Sequence, residues 1–484
     1  MKKEQAECDN LSFLFNRLVP YLEQFQRFEH PDAMRNAESW QAELSGPVPK
    51  KGIGAEKVIE EFGEYIIPNG SQIAKPGCTS YITTAATDMG SIATLAGITA
   101  SPQRVGLTAF NYLEGVALDW LADMFNLSRG MQGVLSSGGS TANLIGLGAA
   151  RQWAFQQIGI DASAEGVQRA CRVYATGQSH HTVHRAVAVL GMGRNAMVHV
   201  QLDRKLRMCP DALKRQLQED TAKGTLPVAI VANAGSTNTG AIDPIEEIAE
   251  IAREHRVWFH VDGAYGLPGR LDPQVAHLYK GLELADSVTV DAHKWLGAPV
   301  GIGATFVKHY QALYDTFTQG AADYLETTTV KEEQVENSMD GMGVPYYDLG
   351  VELSAPARGA IVWALIREIG VRGMTERICR HNAMARQVAV QAAEHPNLEL
   401  ALEPTLSICC FRYVHEKAGD LNALNKTIHR QLMKNGVNIP STTMVGDKFV
   451  IRPCFLGART DWHHANDLVS EVLEIGNELI SGVH

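Results

Sequence analysis

Three short stretches of this 484-residue chain place reactive or phosphate-binding groups where an apolar run gives way to a turn. In LSSGGSTANLIGLGAAR (135–151), Gly138 and Gly139 directly precede Ser140 and an apolar helical pattern. Free backbone N–H groups and the positive end of a helix then face one point, which is how a phosphate is cradled. In FHVDGAYG (259–266), Asp262 leaves the end of an apolar strand, where an ionised carboxylate is costly unless a cation or several hydrogen bonds meet it. Gly263 and Ala264, which follow, are small enough for a flat ring to lie against the backbone. In VTVDAHKWLG (288–297), a strand runs into His293, Lys294 and Trp295, setting an amine beside an aromatic wall. Burial at such a strand end favours the neutral amine that attacks a carbonyl.

Each stretch has a plainer reading: a glycine turn with a serine N-cap, an aspartate capping a neighbouring helix, a solvated lysine. Gly138-Gly139-Ser140-Thr141-Ala142 also resembles the G-x-S-x-G nucleophile elbow with alanine in the last place, so a serine hydrolase using Ser140 is a reading from another class. Together, a phosphate cradle, an acidic partner for a protonated ring nitrogen and an amine form the constellation that pyridoxal 5′-phosphate (PLP) requires. The histidines at 180, 181 and 184 have helical metal-ligand spacing, but no third-ligand motif accompanies them and no metal is expected.

These stretches need a scaffold. From about 130 to 310, β-branched runs alternate with helical patterns: RVYAT (172–176), AMVHVQL (196–202), PVAIVANA (227–234), VWFHVDGA (257–264), SVTVDAH (287–293) and ATFVK (304–308). Such alternation predicts right-handed βαβ crossovers and a mostly parallel sheet, with ligands at the carboxyl ends of its strands. A helix is expected over 244–256, after Asp243, with proline at its first position, acids early and bases late. Residues 1–75 read as a helical segment without a core of its own, 76–348 as the large domain and 349–484 as a small α+β domain. Segment 319–347 lacks periodicity and reads as a functional loop or lid.

Composition narrows the partners. Forty-three basic against 54 acidic side chains give a net charge of −11, with no long basic run for nucleic acid or an anionic membrane. The start of the chain has no secretory pattern and no 18-residue apolar run occurs, so a cytoplasmic location is expected. Eight scattered cysteines without a C-x-x-C pair suggest neither zinc nor a disulfide framework.

On these residues the chain resembles the group II PLP-dependent decarboxylases, a fold-type I family that includes aromatic amino-acid, glutamate, histidine and diaminobutyrate decarboxylases. DAHKWLG is similar to the family's His-Lys-Trp signature, which implies that Lys294 holds the cofactor as a Schiff base and that His293 lies near its phosphate. HVDGAYG is similar to HVDAAY, which implies Asp262 at the pyridine nitrogen and Ala264 at the ring face. SSGGSTANL resembles the phosphate loop, implying Gly139 and Ser140 there, and GQSHHTVHRA the stretch whose histidine stacks on the ring, implying His180. NAGSTNTGAID resembles A-x-x-G-T-T-x-x-G-x-x-D, with Ser236 in place of the first threonine. Tyr324 falls where the family carries a loop tyrosine credited with protonating the carbanion after carbon dioxide leaves.

The resemblance implies an α/β, PLP-dependent transferase-like large domain, a homodimer wrapped by the N-terminal segment, and conversion of an L-amino acid to its amine and carbon dioxide. A decarboxylating oxidase or a carbon–carbon lyase on the same scaffold is the alternative. KPGCTSYI (75–82) departs from the aromatic decarboxylases, with Lys75 in place of a histidine and small Gly77, Cys78 and Thr79 in place of rings. The side chain of the substrate stays open.

Overall fold

The computed structural model describes residues 11–30, 32–101, 103–104, 108–318 and 345–482. The six expected strands form as β3 (Cys171–Ala175), β4 (Met197–His199), β5 (Leu226–Asn233), β6 (Trp258–Asp262), β7 (Ser287–Asp291) and β8 (Gly303–Val307), and β2 (Gln132–Ser136) and a short β1 (Cys78–Thr79) precede them. Strands β2 to β8 make one sheet in the order β2-β8-β7-β6-β5-β3-β4. All neighbours are parallel except those of β8, which runs antiparallel to both β2 and β7. β8 reverses because the link from β7 is too short for a βαβ crossover, whereas helices separate the parallel strands. Six strands therefore end on one edge, and the start of β8 joins them there.

The sheet is covered on both faces and its strands are buried almost throughout, as the continuous apolar runs in β5, β6 and β7 require. The helix after β5 spans Ile245–His255 and matches its predicted charge pattern, but Pro244 sits at its N-cap rather than inside it. Asp243 is buried instead of capping, and accepts hydrogen bonds from the backbone N–H groups of Met208 and Asn233.

A second sheet, in the order β1-β11-β12-β10-β9, gathers β9 (Leu398–Leu402), β10 (Cys410–Tyr413), β11 (Ile439–Val445) and β12 (Lys448–Arg452) around its own apolar cluster. β1 lies parallel to β11, pairing Cys78 with Ile439 and Thr79 with Pro440, so these residues join the C-terminal sheet although local sequence places them with the large unit. This pairing accounts for the small residues of KPGCTSYI: a Cβ on Gly77 would stand 2.3 Å from the Val437 carbonyl oxygen. Lys75 donates to the carbonyl of Gly436, the left-handed cap of the helix Leu421–Asn435, where a cation meets the negative helix end. Arg452 ties the two sheets together, donating to the carbonyls of Asn238, Thr237 and Tyr81.

Between the sheets runs Arg358–Glu394, helical on both sides of a break at Gly370 (φ 65°). The N-terminal helices Leu11–Phe25, Ala37–Leu44 and Ala55–Glu61 bury none of their residues. Among the described residues no helix is long and apolar enough to cross a membrane.

Candidate active site

The strand ends converge on a cleft of roughly 250 Å3 lined by Ser137, Gly138, Gly139, Ser140, Asn143, His180, Asn233, Gly235, Thr237, Asp262, Ala264, Tyr265, Asp291, His293 and Lys294, among others. Of the residues singled out from sequence, Gly139, Ser140, His180, Asp262, Ala264, His293 and Lys294 all reach it.

Its floor is the turn after β2. The helix Gly139–Gln156 starts at the cleft with Gly138 as N-cap at φ 121° and ψ −178°, a backbone region reserved for glycine. A Cβ on Gly138 would lie 2.8 Å from His293 Cε1, and one on Gly139 would lie 2.6 Å from Asp291 Oδ2. The two glycines thus leave a concavity at the positive end of a five-turn helix, toward which the N–H groups of its first turn face. The left-handed residue of this turn is Gly138, and Ser140 lies within the helix. Ser140 is exposed, but it has helical rather than strained backbone geometry and no hydrogen bond joins it to a histidine among the described residues, so the arrangement is not that of a nucleophile elbow.

Asp262 ends β6 with both carboxylate oxygens hydrogen-bonded and one side still facing the cleft: Oδ1 accepts from the Ala264 N–H at 3.1 Å and the Thr289 hydroxyl at 3.4 Å, and Oδ2 from the Asn143 amide at 3.0 Å. Those donors are all neutral, and a cationic ring nitrogen on the open side would complete the site.

Lys294 follows β7 with its ammonium 2.9 Å from Asp291 Oδ2. The other oxygen, Asp291 Oδ1, is buried and has no hydrogen-bond partner among the described residues. The aromatic wall expected beside the amine is differently built. Trp295 is fully buried, stacks on Tyr265 at 5.3 Å and donates its indole N–H to His381 Nδ1 at 3.0 Å, leaving Tyr265 to line the cleft. Burial pushes the His381 imidazole down to about 3, so its ring is neutral and Nδ1 is free to accept. His293 donates from Nδ1 to the Ile302 carbonyl at 2.9 Å, which fixes its ring beside the glycine turn.

His180 is the N-cap of the helix His181–Val189, with Nδ1 2.8 Å from the Thr182 hydroxyl. Burial depresses its pKa, with the nearby Asp262 charge opposing, which favours a neutral ring at the cleft. Its turn is held from behind, because Ser179 Oγ accepts from the Thr176 N–H and from the Asn233 amide, which also donates to Asp243. His181 points outward and is exposed. Ser236 is turned away from the cleft: its hydroxyl pairs with Thr239 and accepts from the Ala241 N–H, and it is Thr237 that lines the cavity. Tyr324 lies outside the described residues. No group of three or more potential metal ligands occurs among the described residues.

Asp291, Asn143 and Thr237 were not anticipated. Asp291 stands three residues before Lys294 and Asn143 three after Ser140, so spacing alone placed both beside known candidates.

The cleft fits PLP on three counts: a cradle that any Cβ would fill, an acid with an open side toward the cavity, and an amine opposite it. The comparisons agree. Residues 40–414 match the pyridoxal-dependent decarboxylase conserved domain. The aromatic-L-amino-acid decarboxylase of Bacillus atrophaeus is 31% identical over 370 residues, 76% of this chain and 73% of that protein. The 4-hydroxyphenylacetaldehyde synthase of Rhodiola rosea is 27% identical over 90% of this chain and 89% of its own length. The crystal structure of Oryza sativa TDC with PLP and tryptamine superposes with a TM-score of 0.85 at 23% identity, covering 98% of each chain.

Proposed function

The chain belongs to the pyridoxal-dependent decarboxylase family, and we propose on that basis a role for each side chain around its cleft. It is a PLP-dependent carboxy-lyase that converts an L-amino acid to the amine and carbon dioxide. The observation that carries the assignment of roles is the convergence of Lys294, Asp262 and the Gly138-Gly139 turn on one cavity.

Lys294 would hold the cofactor covalently. The N–H groups of Gly139 and Ser140, with His293 beside them, would hold its phosphate, Asp262 would accept from its ring nitrogen, and Ala264 and His180 would stand at its ring. When bound, PLP supplies an electron sink for the pair left behind as carbon dioxide departs. Asp291 accepts a hydrogen bond from the Lys294 ammonium at Nζ and holds that amine in the cleft whenever it is not bonded to the cofactor. A proton must then reach Cα, and Tyr324 is the proposed donor.

Exposed Leu11, Leu22, Leu44, Val58, Phe62 and Ile66 on the N-terminal segment support a homodimer, since helices that bury nothing within their own chain need another surface. A cytoplasmic location is the accompanying reading.

The likeness to a Rhodiola rosea aldehyde synthase favours a second reading, in which the amino acid, oxygen and water are consumed and the products are aldehyde, ammonia, carbon dioxide and hydrogen peroxide. The deciding experiment incubates the PLP-loaded protein with each amino acid, diaminobutyrate included, and measures carbon dioxide, amine, aldehyde and peroxide. Amine equal to carbon dioxide supports the decarboxylase; peroxide equal to carbon dioxide overturns it for the oxidase.

A further inference from the structure

Behind Asp262 lies a chain of buried polar side chains. Trp258, His260 and Asp262 alternate along β6 and therefore share one face; Ser287 lies on the same face of β7, directly opposite His260 in the register. The helix Gly139–Gln156 covers that face with Asn143 and, one turn on, Gly146. A Cβ on Gly146 would approach His260 Cε1 to 2.8 Å, so the glycine lets the helix close over the imidazole.

The contacts run from the Trp258 indole N–H to Ser287 Oγ at 2.8 Å, from Ser287 Oγ to His260 Nδ1 at 2.7 Å, from His260 Nε2 to Asn143 Oδ1 at 2.9 Å and from Asn143 Nδ2 to Asp262 Oδ2 at 3.0 Å. The side chains of the chain are 0% to 1% exposed until Asp262 itself, at 7%. A carboxylate only accepts, so with a neutral imidazole the Asp262 end fixes the direction, and Ser287 Oγ takes the indole N–H on a lone pair. Ser287 must then donate to Nδ1, His260 must carry its proton on Nε2, and Asn143 must turn its oxygen to the histidine and its amide to the aspartate. A reversed chain requires a proton on Asp262 and a flipped amide.

We propose that Asn143, His260 and Ser287 are positioning residues, a directed relay that holds Asp262 as a pure acceptor and so keeps the proton on the cofactor's ring nitrogen. This rests on the reading of Asp262 given above. Burial pushes the His260 imidazole down to about 4, against the attraction of Asp262, which agrees with the neutral ring the relay needs.

Two measurements test it. In cofactor-free protein labelled with 15N-histidine, His260, assigned by its loss in His260→Gln, is expected to show a neutral Nε2–H tautomer that does not titrate at neutral pH. A protonated ring or an Nδ1–H tautomer would overturn the relay. This spectrum needs no PLP, so it stands or falls apart from the assignment of the cofactor. In protein loaded with PLP labelled at the ring nitrogen, the 15N shift is expected to report a protonated ring in the wild type and loss of that proton in Asn143→Leu, with cofactor release faster by about tenfold to a hundredfold. Ser287→Ala, two bonds further away, should shift the ring signal in the same direction by less. An unchanged ring shift in Asn143→Leu would reduce the chain to packing.

Discussion

Replacing Gly138 by alanine tests the phosphate cradle with the smallest available perturbation. At φ 121° and ψ −178° the alanine occupies a backbone region that costs about 1–3 kcal/mol for any residue with a Cβ. The methyl group also lands 2.8 Å from His293 Cε1, and the ring cannot swing aside without loosening its 2.9 Å hydrogen bond to Ile302, worth about 1 kcal/mol. The turn relieves about 2–4 kcal/mol only by moving the N–H groups of Gly139 and Ser140 out of line. Because the bound cofactor needs them in line, most of that cost reappears in its affinity, a weakening of about 30-fold to several hundred-fold. The assay is a titration of cofactor-free protein with PLP, followed by absorbance. Gly191→Ala is the control: its φ of 79° also lies in the left-handed range that L side chains rarely adopt, yet its Cβ meets nothing and it lies away from the cleft. It should lower stability and leave PLP binding intact. If Gly138→Ala binds PLP within twofold of the wild type, the cradle is not at this turn.

Three further outcomes follow from particular side chains. Burial pushes the Glu114 carboxyl up to about 7 from its ordinary 4.5, with Arg104 and Arg358 opposing. The folded state therefore binds this proton more tightly than the unfolded one, and stability present below about pH 4.5 is lost as pH rises through 7, by about 3 kcal/mol; thermal melts against pH should show that slope in the wild type and a flatter one in Glu114→Gln. Trp295→Phe removes the indole bond to His381 and is expected to cost about 1–3 kcal/mol in denaturant unfolding while PLP binding persists; a loss of PLP binding at unchanged stability would place the indole in the site. Tyr324→Phe should divert product from amine to aldehyde and peroxide, and unchanged amine output would remove Tyr324 from the mechanism.

Much of the scaffold was legible because continuous apolar runs and turn glycines carry strand ends in local sequence. Asp262, Lys294 and the Gly138-Gly139 pair could be placed in one cleft for that reason: each follows a strand, and parallel strands end on one edge. What escaped depends on contacts between distant segments. The reversal of β8 follows from a short link whose fold-back is decided by pairing, and β1 joins β11 across more than 350 residues through two backbone pairs. Asn143 reads locally as an ordinary helix residue and His260 as a strand residue; only the register of β6 against β7, with the helix laid over both, makes them neighbours. Ser236 shows the same limit from the other side, since motif position alone cannot say which of two adjacent hydroxyls, Ser236 or Thr237, turns toward the cavity.

The central claim is that Lys294 carries the cofactor in this cleft. Protein loaded with PLP should be treated with borohydride, which fixes the cofactor to the lysine that holds it, then digested and analysed by peptide mass spectrometry. The account predicts the pyridoxyl group on Lys294 alone, and none in Lys294→Ala. A label on another lysine, or no label on a folded protein exposed to excess PLP, would contradict it.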